Sequence, residues 1–172
     1  MTFTDTHCHL ADPKLTDTLP AVLAEAQAVG VARFIVPATS PKDWHSVAQL
    51  ERPSENIHIA LGIHPWFSDG IDKTAFQQLE SELIRHPQAW VGEIGLDFYG
   101  KEQTQVQRDT QTDVFIHQLI LAQNLNRRVI IHNLKATAAI AAAVKTAGFT
   151  RGGIVHAFSG SVEEARILVK LG

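Results

Sequence analysis

The chain has 172 residues, 45% of them apolar and 19% charged, with a formal net charge of −3 and a single cysteine. That length and mix fit one folded domain with a real core rather than a disordered segment, and the charge argues against a protein held on duplex DNA chiefly by a basic face. One cysteine excludes an internal disulfide framework and suits a reducing compartment; with no leader-like start and no apolar stretch of membrane-spanning length, a cytoplasmic protein without membrane contact is expected.

In chain order, apolar runs alternate with helix-like segments. The first run, TFTDTHCHL, is followed by Leu19, Val22, Leu23 and Ala26 at helical spacing, with Pro20 in the first turn and Gly30 as a stop. RFIVPATS and then IALGIHPW come next, before Asp72 caps a helix carrying Phe76, Leu79 and Leu83 that ends before Pro87. AWVGEIGLDFY precedes the longest predicted helix, about Gln107 to Asn126. RVIIHNLK leads into an alanine-rich helix over Ala136 to Thr146, which stops near Gly148. After GGIVHAFSGS, Ser161 caps a last helix and Glu164 completes a capping box.

The runs are rich in Val, Ile and Phe and apolar on both faces, as parallel strands covered on both sides should be. Repeated strand–helix units predict an α/β fold with a parallel sheet of the (β/α) TIM-barrel type. A closed barrel has eight strands and about 250 residues. About six of the eight units are expected here, within a single domain over residues 1–172 that is C-terminally incomplete.

Five of the runs end in side chains able to bind a metal. His7 and His9 are two residues apart, so in a strand both imidazoles face one way while Cys8 points opposite; Asp5 is expected on the same face, orienting a ligand. Cys8 reads as a small buried apolar residue rather than a nucleophile. Glu93 lies between Gly92 and Gly95 inside an apolar run, where an ionised carboxylate is costly unless a cation or donor pairs with it. Asp97 follows, placed to hold a ligand histidine or substrate. His132 and His156 each close a buried strand, and His64 stands on the same rim, serving substrate or metal. His45, His58, His86 and His117 read as surface or packing residues. Mixed nitrogen and oxygen donors favour Zn²⁺, Mn²⁺ or Mg²⁺ over copper or iron–sulfur centres. Two such ions would activate a water and stabilise the attacking and leaving oxygens of a displacement.

The segments Thr6-His7-Cys8-His9-Leu10, Gly62-Ile63-His64-Pro65, Gly92-Glu93-Ile94-Gly95-Leu96-Asp97, Ile131-His132 and His156-Ala157-Phe158-Ser159-Gly160 resemble, in order and spacing, the TatD family of metal-dependent deoxyribonucleases. Gln111-Thr112-Asp113-Val114-Phe115 resembles that family's helix before the histidine strand, so the resemblance covers essentially the whole chain. It implies an amidohydrolase-like TIM barrel, two divalent metal ions, and hydrolysis of phosphodiester bonds in DNA, at single strands or 3′ ends. Carried over, the resemblance implies that His7, His9 and Glu93 hold one metal, that Glu93 bridges to a second held by His132 and His156, and that His64 lies near the substrate phosphate or an additional metal, with Glu93 and His64 as the catalytic residues. Two departures stand out. The family's late aspartate on the last barrel strand lies beyond the end of this sequence. Asn133-Leu134-Lys135 replaces the family's Ser-Arg-Asp, leaving Lys135 as the substitute phosphate binder without arginine's bidentate fork.

Two other readings stay open at this point. One keeps the metal site but changes the substrate to another ester or amide, since one fold hosts many chemistries. The other is an inactive fragment whose open sheet edges self-associate or pair with a partner.

Overall fold

The computed structural model describes residues 1–52, 56–100 and 102–172. Among the described residues, six strands alternate with six α-helices: β1 (Phe3–Asp5), α1 (Leu19–Ala28), β2 (Val31–Pro37), α2 (Trp44–Ala48), β3 (Ile57–Leu61), α3 (Lys73–Arg85), β4 (Trp90–Asp97), α4 (Gln105–Asn124), β5 (Val129–Leu134), α5 (Thr137–Thr146), β6 (Gly153–His156) and α6 (Val162–Val169). The strands form one all-parallel sheet in sequence order. This is the (β/α) architecture expected from the alternating runs.

Local chemistry sets the helix starts. The Asp72 carboxylate accepts from the amides of Thr74 and Ala75 and opens α3. Ser161 and Glu164 close a reciprocal capping box at α6. The same device starts α4 at Gln105, two residues ahead of the position expected from periodicity, because the Thr104 hydroxyl and the Gln107 side chain satisfy each other's backbone amides. At α5 the cap is borrowed from the strand: Asn133 Oδ1 accepts from Ala136 N at 3.3 Å, and its amide nitrogen donates to Thr137 Oγ1 at 2.9 Å.

Alternation along the strands divides the sheet into two faces. Val36, Ile59, Leu61, Val91, Ile94, Leu96, Val129 and Ile131 pack with Leu79 and Leu83 of α3, Phe115 and Leu119 of α4, and Ile140 of α5 in the main core. Each such fully buried side chain contributes about 1.5–3 kcal/mol. The opposite, inner face carries a smaller cluster of Ile35, Ala60 and Ile130, with Trp90 and Ile154 against it. Two residues beyond Ile130 and Ile154, on this same inner face, stand His132 and His156, paired in register. His64 likewise follows Ala60 by an even step.

β4 breaks the alternation where it matters. Val91 pairs with Val129 and Ile94 with Ile131, so three steps on β4 span two on β5. The extra residue is a bulge that turns Glu93 inward. Gly95, at φ +136°, lets β5 approach at this point; a Cβ there would sit 2.1 Å from the His132 carbonyl oxygen. The sheet also curls. His7, just past β1, and His156, at the end of β6, stack with ring centroids 3.8 Å apart although their strands stand at opposite ends of the sheet order.

Candidate metal centre

Glu93 is the hub. It is 3% exposed, and its two carboxylate oxygens look in different directions. Oε2 lies 3.3 Å from His7 Nε2, and His7 Nε2 lies 3.2 Å from His9 Nε2. Oε1 lies 2.5 Å from His156 Nε2, 3.0 Å from His132 Nδ1 and 3.5 Å from His64 Nε2. Five imidazoles, two from the bend after β1 and one each from the C-terminal sides of β3, β5 and β6, thus surround one buried acid.

The route by which His7 and His9 arrive differs from the expected one. β1 stops at Asp5, so strand pleating does not align the two rings. Instead, Asp5 Oδ1 accepts from the His7 amide at 3.1 Å, and the Cys8 amide donates to the Ile35 carbonyl at 3.2 Å. These bonds hold a bend that sends Cys8 toward the core and both imidazoles toward Glu93. Burial, with Asp5 nearby, pushes the Cys8 thiol up to about 12. It is a packed thiol and not a thiolate nucleophile.

Asp97 ties the rim together. It is buried, its Oδ2 accepts from Trp66 Nε1 at 2.7 Å and lies 3.4 Å from His132 Nε2, and its Oδ1 accepts from the Tyr99 amide. His132 therefore sits between two carboxylates, one on each ring nitrogen. Burial pulls its pKa down, but the hydrogen bond and charge of Glu93, with Asp97 behind them, outweigh that and raise it. Burial lowers His7 and His64 to about 4 despite the attraction of Glu93, so both are neutral near pH 7. Burial also works against ionising Glu93, yet hydrogen bonds from His132 and His156 win and hold its carboxyl well below the usual carboxylate range.

These donors fit a divalent cation. Two neutral-capable Nε2 atoms face each other with a carboxylate oxygen beside them, and at most one hydrogen can lie between the nitrogens. Around a tetrahedral ion with Zn–N bonds of about 2.0–2.1 Å, ligand atoms stand about 3.3–3.4 Å apart, which matches the 3.2 and 3.3 Å edges here. Among the described residues, two groups have ligand atoms close enough to share an ion: His7, His9 and Glu93, and His64, Glu93 and His132. His64 is set up differently from the rest. Its Nδ1 accepts from the Trp66 amide at 3.2 Å, so the neutral ring carries its proton on Nε2, the atom aimed at Glu93. That nitrogen donates; it does not offer a lone pair.

Lys135 stands apart from the cluster. It is exposed and borders a separate cavity with Asn133, Thr137, Ser159, Gly160, Ser161 and Glu164. His45 on α2 bonds Gln49 just past the helix end, His86 pairs with Glu51 at 2.6 Å, and His117 stacks on Phe76; these are the packing and surface roles expected of them.

Three supporting residues were not read from the sequence. Gln118, fully buried on α4, accepts from the Ile63 amide at 2.7 Å and donates to the Ile63 carbonyl at 3.1 Å. Gln111, two turns earlier, accepts from the Asp97 amide at 3.0 Å through Oε1. Between them they fix the backbone beside His64 and Asp97. The signal was two glutamines seven apart on the apolar side of α4. Trp66, which donates to the Asp97 carboxylate, is the third.

The profile of the TatD-related DNase family matches residues 4–172. The uncharacterised metal-dependent hydrolase YjjV of Escherichia coli K12 is 35% identical over 172 residues, covering 99% of this chain and 65% of its own length. The corresponding hydrolase YabD of Bacillus subtilis is 33% identical over 97% of this chain and 65% of its own. The crystal structure of the E. coli TatD homologue superposes with a TM-score of 0.89 at 34% identity, over 98% of this chain and 65% of that one. A TatD-family hydrolase from Entamoeba histolytica, 19% identical, shares the fold with a TM-score of 0.84 over 99% of this chain and 63% of that one. The chain thus spans just under two thirds of the length of these relatives.

Proposed function

The chain belongs to the TatD-related DNase family, and on that premise we propose that residues 1–172 act as one metal-dependent hydrolase domain cleaving phosphodiester bonds in DNA. The observation that carries this reading is the two-sided environment of Glu93, with His7 and His9 at Oε2 and His132 and His156 at Oε1. His7, His9, Glu93, His132 and His156 would together hold divalent cations such as Zn²⁺, Mn²⁺ or Mg²⁺. Bound there, they would supply an activated water and charge neutralisation at the attacking and leaving oxygens.

The chain's own groups do the rest. His64 points a fixed Nε2–H into the centre, suited to donating to a non-bridging phosphate oxygen. Asp97 holds the His132 ring in place through its far nitrogen. With a formal net charge of −3 on the protein, bound cations would supply the positive charge that a phosphate needs. A thiol kept protonated and packed suits a reducing, cytoplasmic setting.

A second reading, hydrolysis of a different ester or amide, has one observation in its favour: Lys135 borders its own cavity instead of joining the centre. The test strips the chain of metal, reloads it with Mg²⁺, Mn²⁺ or Zn²⁺, and offers single-stranded DNA, duplex DNA, carboxyl esters and amides. Metal-restored cleavage of single-stranded DNA is the expected result. Turnover confined to the carboxyl esters or amides would overturn the DNA reading in favour of the second.

A further inference from the structure

Trp66 is an oddity by the usual rules of burial. It is 70% exposed, although a large aromatic side chain is ordinarily kept out of water. The other two tryptophans conform: Trp44 is 4% exposed and donates to the Gly62 carbonyl, and Trp90 is half-buried beneath the Arg128 guanidinium. Trp66 is not loose, however. It sits in a tight turn, Pro65–Phe67, opened by His64. Its Nε1 donates to the buried Asp97 carboxylate, and its ring meets His64 edge-on, 5.0 Å between centroids and 79° between planes. The ring centroid of His132 is 6.4 Å away.

We infer that the indole of Trp66 is a stacking platform for an unpaired nucleobase of the strand whose phosphate lies at the Glu93 centre. This deepens the proposed DNA hydrolysis and rests on it. The polar edge of the ring is fully engaged by Asp97, so what the ring offers to solvent is an apolar π surface. A flat, uncharged, π-faced group is the ligand such a surface takes, and every nucleobase qualifies irrespective of sequence. Because Asp97 and the turn already fix the ring, little side-chain entropy is lost on binding. Bases inside a duplex are covered on both faces, so the platform selects single strands and frayed ends. His64 links the two parts: its ring lies against Trp66 while its Nε2–H faces the centre.

The test uses the 172-residue chain loaded with Mn²⁺ and two probes, a single-stranded octathymidylate with phosphorothioate linkages and an abasic oligomer of equal length and charge. Binding is read by tryptophan fluorescence and by competition. The parent's emission should be quenched by the thymidylate but not by the abasic oligomer. Trp66→Leu should bind the thymidylate between about five- and a hundredfold more weakly, with a much smaller loss for the abasic oligomer, set only by the missing donor to Asp97. Trp66→Tyr should recover most of the loss, since stacking returns. Equal affinity of Trp66→Leu and the parent for thymidylate would overturn the platform while leaving DNA hydrolysis standing. A matching loss for the abasic oligomer would also overturn it, as that marks Trp66 as a prop for Asp97 and His64. A parent that neither binds nor cleaves either oligomer would remove the DNA reading and the platform together.

Discussion

The middle of the sheet and its two flanks contribute to the same centre but are built differently. β4 is buried along nearly its whole length, and α3, α4 and α5 all bury side chains against β3–β5. By contrast, β1 is exposed throughout, β6 is at most half-buried, and neither α1 nor α6 has a fully buried residue. His64, Glu93, Asp97 and His132 stand on the packed middle; His7, His9 and His156 come from the flanks. The packed middle thus preorganises the acid and its donors, whereas the flank histidines stand on elements with fewer buried side chains to hold them.

The comparison breaks most completely at the residue both regions share. Glu93→Gln keeps the shape but removes the charge facing both histidine sets. Metal affinity should fall by more than the about 10–100-fold typical when a ligand's outer partner is removed, with both ions lost in elemental analysis. Retention of two ions would show that the flanks and middle bind independently of the acid.

Gln118→Leu attacks the middle alone. The Ile63 amide and carbonyl lose their partners, and each buried group left unsatisfied costs about 1–3 kcal/mol. Urea denaturation of the metal-free chain should register that loss, and a midpoint unchanged from the parent would rule out the clamp.

Metal loading sharpens the contrast from the other side. At a hundredfold excess over Kd, a bound ion stabilises the fold by about 2.7 kcal/mol. Hydrogen exchange should slow more in β1, β6 and their helices than in β3–β5. Binding should also release protons, because Glu93 and Asp97 raise the pKa of His132 and a ligating ring must give up one of its two N–H protons. Affinity therefore rises with pH through that titration, and calorimetry in buffers of different ionisation heat reads the proton count. Uniform protection across the sheet would erase the distinction between regions.

Much of the centre was legible because a strand that ends in water after an apolar run leaves few reasons for a histidine or acid at that position. The inner-face parity of His132 and His156 follows directly from the period of two. His7 and His9 converge as anticipated but through a bend held by Asp5 and Ile35, which pleating could not foretell. The inward turn of Glu93 depends on a bulge in β4, which the glycines on either side of the acid leave room for without fixing its position. Gln118 and Trp66 escaped for opposite reasons: one is polar yet fully buried, the other apolar yet exposed, so burial rules alone misplace both. Thr104 and Gln107 spelled out the start of α4, which periodicity placed two residues late.

The most direct test is anomalous scattering from crystals of the chain grown with Zn²⁺ or Mn²⁺, collected on both sides of the metal's absorption edge. Two peaks flanking the Glu93 carboxylate are expected, one beside His7 and His9 and the other beside His132 and His156. A single peak, or peaks confined to the surface histidines His45, His86 and His117, would contradict this arrangement.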